Sequence, residues 1–324
     1  MNSKRIILAI FLITFIFYGC KQNSNEVNSI DIFKQKDTLE IFAPEMVSTY
    51  LNQRDIAISS DGTEIYYTLS TFDNSFRSIV RIELENSKPI LTEIASFSGE
   101  YNDIEPFISS SGEKLFFASD RPDNLNDSIK DYNIWVVERT ELQWGEPKIL
   151  SSVINTSEDE FYPSVAENGN LYFTAAYQNS MGLEDIYKSE FIDGNYTTPI
   201  SLDSAINSSM YEFNAYISPD EKIIVFSSYG RFDDQGGGDL YFSKKDESGK
   251  WLPAVNMGNT INSESLDYCP FIDFKRGNFY FTSNRRQKKY KKLNLNELIK
   301  ESEQILNGMG NIYYINLSET LINK

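Results

Sequence analysis

Carboxylate side chains recur at one position of a repeated unit in this 324-residue sequence. The repeated position holds Asp103, Glu160, Glu212 and Asp267, with Gln53 in the first unit. Clustered carboxylates can hydrolyse a glycosidic bond or bind a cation, a glycan or a cationic peptide. The loops that follow also carry Arg121, Arg231 and Arg285. An alternative interpretation is therefore that each acid pairs with an arginine or caps backbone amides, and so serves the repeat itself.

The elements that position these acids are short turns followed by aromatic strands. The first copy reads Ser59-Ser60-Asp61-Gly62 and then Ile65-Tyr66-Tyr67. Later copies begin at Ser109, Ala166, Ser218 and Lys275, so successive copies lie 50 to 57 residues apart. A unit of strands and tight turns cannot bury its own apolar face, whereas units stacked radially can. The period therefore predicts an all-β protein with the fold of a β-propeller.

Each unit is predicted to contain four strands, and the count gives five blades. The third strand begins with a polar residue, as in Asp185-Ile186-Tyr187, and the fourth combines an aromatic residue with proline, as in Trp251 and Pro253. Proline lacks a ladder donor and marks an edge strand. The fifth unit has only three strands, and residues 39–44 are predicted to supply the fourth and close the ring. Six blades would need an additional irregular blade.

The sequence contains no histidine, and only Cys269 accompanies Cys20. One chain therefore lacks the residues for a Cys/His zinc site or a Ser-His-Asp catalytic unit, and we expect no metal and no cofactor. The formal net charge is −17. Such an excess of acid argues against nucleic acid as a partner.

The first twenty residues are typical of a signal peptide. Lys4 and Arg5 precede an apolar run that ends in Gly19-Cys20, which resembles a bacterial lipobox. The predicted organisation is a signal peptide at 1–19, a lipidated Cys20 with a flexible polar tether at 20–38, and the propeller at 39–324.

The long connections are predicted to lie on one face of the propeller, where we expect binding. The longest, in the fifth unit, is basic and includes Lys288 and Lys289. Apolar residues after it follow helical spacing, with Asn294 and Glu297 as a capping box and Asn307-Gly308 as the stop. A basic loop and an amphipathic helix could contact a partner or anionic lipid headgroups, or they could be a solvated loop and a helix folded onto the rim.

Several motifs together resemble the TolB-like, WD40-like β-propeller repeat proteins. They are the Ser-Pro-Asp turns, the Ser119-Asp120-Arg121-Pro122 strand ending, and the Ile-Asn-Ser/Thr loops at Ile154, Ile206 and Ile261. With the lipobox-like segment, the chain resembles envelope lipoproteins of Bacteroidota. The resemblance implies a monomeric outer-membrane lipoprotein, on the periplasmic side or the cell surface, that touches the membrane only through its lipid and binds an envelope protein or peptide without catalysis. The alternative is a propeller that binds or hydrolyses carbohydrate with the recurring carboxylates, which would lie at the mouth of its central channel.

Overall fold

The computed structural model describes residues 31–123, 131–141, 143–287 and 292–323, whose strands form five blades. Strand β1 (Glu40–Ile41) precedes blade 1. Blade 1 contains β2 (Asn52–Ile58), β3 (Glu64–Ser70), β4 (Arg77–Glu85) and β5 (Lys88–Ile94). Blade 2 contains β6 (Asp103–Ile108), β7 (Lys114–Ser119), β8 (Asn133–Thr140), β9 (Gln143–Trp144) and β10 (Lys148–Ile149).

The remaining three blades repeat the same antiparallel order. Blade 3 contains β11 (Glu160–Val165), β12 (Leu171–Ala175), β13 (Asp185–Ser189), a hairpin of β14 (Phe191–Ile192) and β15 (Asn195–Tyr196), and β16 (Ile200–Ser201). Blade 4 contains β17 (Tyr211–Ile217), β18 (Ile223–Tyr229), β19 (Asp239–Lys244) and β20 (Val255–Asn256). Blade 5 contains β21 (Asp267–Asp273), β22 (Asn278–Ser283) and β23 (Asn311–Asn316).

The first strand of each blade contacts the first strands of both neighbouring blades, so the five innermost strands form a closed ring. The predicted five-bladed all-β propeller is therefore confirmed. The hydrophobic core lies mainly between adjacent blades, where aromatic side chains of one sheet meet those of the next. Trp144 of blade 2, for example, donates to the Tyr66 hydroxyl of blade 1 over 2.8 Å.

The predicted ring closure is also confirmed. Strand β1 pairs antiparallel with β23, placing Glu40 opposite Tyr314 and Ile41 opposite Tyr313. Phe42, which follows, is fully buried, and its ring meets the Tyr280 ring at 5.2 Å. Pairing the two ends of the chain covers the edge that the three-stranded blade would otherwise expose.

The predicted tether extends too far along the chain, because residues 31–38 pack against blade 5. Ile32 and Phe33 are buried. The Phe33 carbonyl accepts a hydrogen bond from Asn278 Nδ2 at 2.8 Å, and the Lys36 carbonyl accepts one from Asn316 N at 2.7 Å. The Arg276 guanidinium lies 4.7 Å from the centre of the Phe33 ring. Nothing in the sequence indicated this packing, because the only apolar residues between 31 and 38 are the adjacent Ile32 and Phe33.

Two faces of the ring differ in their connections. The turn face carries the short turns between first and second strands. The loop face carries the connections from second to third strand and from one blade to the next, as predicted. A short helix, α1 (Leu295–Ser302), lies in the loop-face connection of blade 5, and its capping box of Asn294 and Glu297 is confirmed. The helix ends at Ser302, before the predicted stop at Asn307-Gly308.

Helix α1 buries none of its side chains. Leu295, Leu298 and Ile299 are exposed, so the helix does not fold its apolar stripe onto the rim. Among the described residues, no helix is both long and apolar enough to cross a membrane. The predicted signal peptide, Cys20, Lys288 and Lys289 lie outside the described residues.

Candidate functional site

The recurring acids and the loop arginines meet in pairs at the blade junctions. Arg121 Nη2 lies 2.6 Å from Asp103 Oδ1, and Arg285 Nη2 lies 2.6 Å from Asp267 Oδ1. Arg231 Nη2 lies 2.9 Å from Glu212 Oε1. The three acids are fully buried. These contacts correspond to the interpretation in which each acid neutralises an arginine of its own blade.

Each pair is extended by a serine, a carbonyl and two or more aromatic rings. Ser119 donates to Asp103 over 2.7 Å, and Ser228 donates to Glu212 over 3.0 Å. Each arginine also donates to the carbonyl of the preceding inter-blade loop, as Arg285 does to Ile261 over 2.6 Å. The guanidinium of each stacks near aromatic rings of the second and third strands. The unit joins three segments of the backbone, which is a structural task.

Glu160 of blade 3 departs from this pattern because no arginine reaches it among the described residues. Its Oε1 accepts from the Tyr177 hydroxyl at 2.9 Å and from Thr156 Oγ1 at 2.7 Å. Burial raises the pKa of Glu160 to about 7, although these hydrogen bonds act in the opposite direction. Gln53 of blade 1 likewise bonds to a loop residue, Thr49.

The side chains that reach the axis of the ring stand two positions further along each innermost strand. They are Asp55, Glu105, Tyr162, Asn214 and Cys269, all with φ between 51° and 63°. The pairing register shifts at this point in every blade, which marks a β-bulge. A bulge re-aims the side chain it carries. The ring thus directs one side chain per blade toward a common centre.

These side chains connect across the axis around one carboxylate. Glu105 Oε1 accepts from Arg54 Nη2 at 2.5 Å and from Asn214 Nδ2 at 3.3 Å, and Oε2 accepts from the Tyr162 amide at 2.7 Å. Arg54 Nε also donates to both oxygens of Asp55, over 2.8 and 2.7 Å. Burial raises the pKa of Glu105, and the Arg54 charge opposes that rise. The network fills the axis and forms the floor of a pocket.

The pocket above this floor opens on the loop face and has a volume of about 250 Å³. Its walls combine the rings of Phe161, Phe213 and Tyr268 with two ionic side chains, Arg77 and Glu184. We call it the axial pocket. An aromatic cavity with a few fixed polar groups is the usual form of a ligand site.

Around the axial pocket, the loop face exposes apolar side chains that we call the apolar crown. The crown comprises Tyr50, Phe72, Phe76, Met181, Leu183, Met210, Tyr229 and Phe232. Phe232 is fully exposed, and Phe76 is 74% exposed. The Tyr50 and Phe72 rings lie 6.1 Å apart. The Asn307 side chain donates a hydrogen bond to the Tyr50 carbonyl, which links the blade 5 connection that contains α1 to this part of the crown.

Sequence reasoning identified the repeated acids but missed the axial residues. The repeat position two residues later holds a different residue type in every blade. A residue that serves the repeat tends to recur, whereas a residue that serves one site need not. The difference between a recurring acid and a variable residue two positions later was the sequence signal that could have identified the axial residues. Among the described residues, no group of three or more His, Cys, Asp or Glu side chains could hold a metal ion.

Comparisons with known proteins find similarity only among solved structures, since no family model and no curated protein matches this chain. A putative TolB from Agrobacterium tumefaciens has a TM-score of 0.46 at 16% identity, covering 71% of this chain and 69% of that one. TolB from Acinetobacter baumannii has a TM-score of 0.41 at 13% identity, covering 80% of this chain and 53% of that one.

An enzyme is among the similar structures as well. The alpha-L-arabinofuranosidase from Podospora anserina has a TM-score of 0.46 at 11% identity, covering 84% of this chain and 92% of that one. These likenesses concern the fold alone.

Proposed function

We propose that this protein is a non-catalytic binding module, anchored in the outer membrane through a lipidated Cys20, that docks an envelope protein or peptide on its loop face. The observation that carries the proposal is the apolar crown around the axial pocket. A fully exposed Phe232 costs solvation in the free protein, and contact with a partner removes that cost.

The scaffold suits this task because the crown stands on loops that a closed ring holds in place. Aromatic side chains on a rigid support lose little conformational entropy on binding and commonly dominate the energy of an interface. The axial pocket adds a recess into which one side chain of a partner can enter. Flat and recessed surfaces together favour an extended peptide or a loop of a folded protein.

The buried acids support binding rather than hydrolysis. A glycosidase needs two carboxyl groups on either side of an accessible sugar bond. Asp103, Glu212 and Asp267 are instead fully buried and paired with arginines. Glu160 is fully buried too and accepts hydrogen bonds from its own blade.

Site-specific photo-crosslinking in cells tests the proposal. A photoreactive residue at position 76 or 232 should yield the same partner adduct, whereas one at Glu247, which is exposed on the turn face, should not. The Phe232→Ser substitution should lower the adduct yield from position 76 by about tenfold while leaving the thermal midpoint unchanged, because an exposed ring contributes little to folding. Identical adducts from all three positions, or none from the crown, would contradict the proposal.

A further inference from the structure

Two ionic side chains of the axial pocket, Arg77 and Glu184, belong to no salt bridge among the described residues. Arg77 Nη1 donates to the Tyr132 hydroxyl, over 3.3 Å, and the Tyr132 ring packs 5.1 Å from that of Phe161. Glu184 stands on the blade 3 side, where its backbone bridges to Tyr211 of blade 4. Within the described residues, neither Arg77 nor Glu184 forms an ion pair, although both line the same pocket.

The other charges of the pocket are already neutralised or are negative. Arg54 is shared between Asp55 and Glu105, so that group carries a net negative charge when both acids are ionised. Burial is the main cause that raises the pKa of Glu184, and the negative charge of Asp159 raises it further. A partly desolvated carboxylate next to a second acid is destabilised unless a cation approaches it.

We infer that the axial pocket receives one basic side chain, lysine or arginine, of the partner peptide, with its charged end at Glu184. This inference rests on the proposed function and names the chemistry that the loop face selects. The aliphatic stem of the basic residue would lie along Phe161 and Phe213, because long basic side chains bury their methylenes and keep only the charged end polar. Arg77, on the other wall, is left to donate to a carbonyl oxygen of the bound peptide.

The volume and the charge of the pocket agree with this occupant. A pocket of about 250 Å³ accommodates a single side chain rather than a folded element. An acidic partner residue would meet Arg77 but would leave Glu184 uncompensated beside Glu105, as a purely apolar one would, whereas a basic residue neutralises Glu184. The acidic net charge of −17 would also attract a basic segment from a distance.

Small probes test the pocket without the partner. Nα-acetyl-lysine N-methylamide and its norleucine counterpart differ in the ammonium group, and ligand-observed NMR titration of the purified full chain compares them. We expect the lysine probe to bind at least about tenfold more tightly than the norleucine probe, as one recovered ion pair would provide. Equal binding of the two probes, or no binding of the lysine probe, would overturn the inference, and this comparison needs no variant.

Two variants locate the effect. Glu184→Gln should weaken binding of the lysine probe by about tenfold and leave binding of the norleucine probe unchanged. The matched control is Glu190→Gln, in the same blade, whose side chain is 53% exposed and lies 3.3 Å from Lys188. If Glu184→Gln binds the lysine probe as tightly as the unmodified protein does, the inference fails. The crosslinks from position 232 can still succeed in that case, so failure of the inference is distinguishable from failure of the proposed function.

Discussion

The repeated acid and the axial residue lie two positions apart and have opposite roles. The acid neutralises an arginine whose guanidinium also binds a backbone carbonyl, as Asp267 does for Arg285. Removing one member of such a buried pair leaves a charge without compensation. The axial residue faces a shared centre and meets residues of other blades, as Glu105 meets Arg54 and Asn214. Position relative to the bulge therefore separates the residues that join segments of one blade from those that meet other blades at the axis.

Glu160 provides a test at the scale of one residue. Its folded pKa of about 7 lies above the ordinary glutamate pKa of 4.5, so the native state binds its proton more tightly than the unfolded state does. Stability from this group should therefore fall as the pH rises from 4.5 to 7 and stay low above that range. Glu160→Gln should remove this dependence and raise the free energy of unfolding at pH 8 by roughly 2–3 kcal/mol relative to its effect at pH 5.

Urea unfolding at the two pH values measures this difference. Glu212→Gln is the matched control, because it leaves Arg231 with a neutral partner and should destabilise the protein at both pH values, by up to about 3–5 kcal/mol. A Glu160→Gln protein with the same pH dependence as the unmodified protein would show that Glu160 is ionised without cost.

At the scale of secondary-structure elements, closure of the propeller depends on how the two ends of the chain pair. Strand β1 completes blade 5 with only two paired residues. The segment from Asp31 to Lys36 adds contacts beyond that pairing, through the buried Phe33 ring and the carbonyls of Phe33 and Lys36. Short edge strands are weak alone, so the preceding segment supports the closure that β1 begins.

Phe33→Ala tests this role of the N-terminal segment. The substitution should lower the free energy of unfolding by about 3 kcal/mol, because it leaves a cavity between Phe42 and Arg276. Phe274→Ala, at an exposed position of the same blade, is the control and should change stability by less than about 0.5 kcal/mol. Chemical denaturation followed by aromatic fluorescence measures both. Equal effects of the two substitutions would indicate that residues 31–38 form a flexible tether and do not stabilise the propeller.

At the scale of the whole molecule, the two faces of the propeller present different surfaces. The loop face holds the axial pocket and the apolar crown, and the turn face holds tight turns with a cleft of about 1000 Å³ between blades 1 and 2 and one of about 580 Å³ between blades 2 and 3. A lipid on Cys20 would hold the propeller at a membrane surface through the segment that joins blade 5.

Substitution of Cys20 tests the predicted lipidation. Cys20→Ala should move the protein from the membrane pellet to a soluble or unprocessed form and abolish metabolic labelling with a fatty acid. Cys269→Ala is the control for acylation at the other cysteine and should leave both measurements unchanged, because Cys269 is fully buried. Fatty-acid label that persists on the Cys20→Ala protein would contradict the lipoprotein assignment.

The architecture of this protein follows from its amino-acid sequence. The turn-and-aromatic-strand unit repeats every 50 to 57 residues, so the number of blades follows from counting. The three-stranded last unit and the apolar segment at 39–44 predicted the closure that β1 makes with β23. Local patterns suffice here because blades 1 to 4 are each built from residues close together in the chain, and blade 5 takes only its outer strand from the other end.

Only the tertiary structure decided which residues form the site. The acids of the repeat looked like a channel-mouth ring, but a β-bulge in every innermost strand places the residue two positions later at the axis. The contacts of Glu105 join residues 51 and 109 positions away in sequence, and the axial pocket draws on all five blades. Neither burial nor pairing across such distances is encoded in a local pattern, because both depend on how the blades meet around the axis.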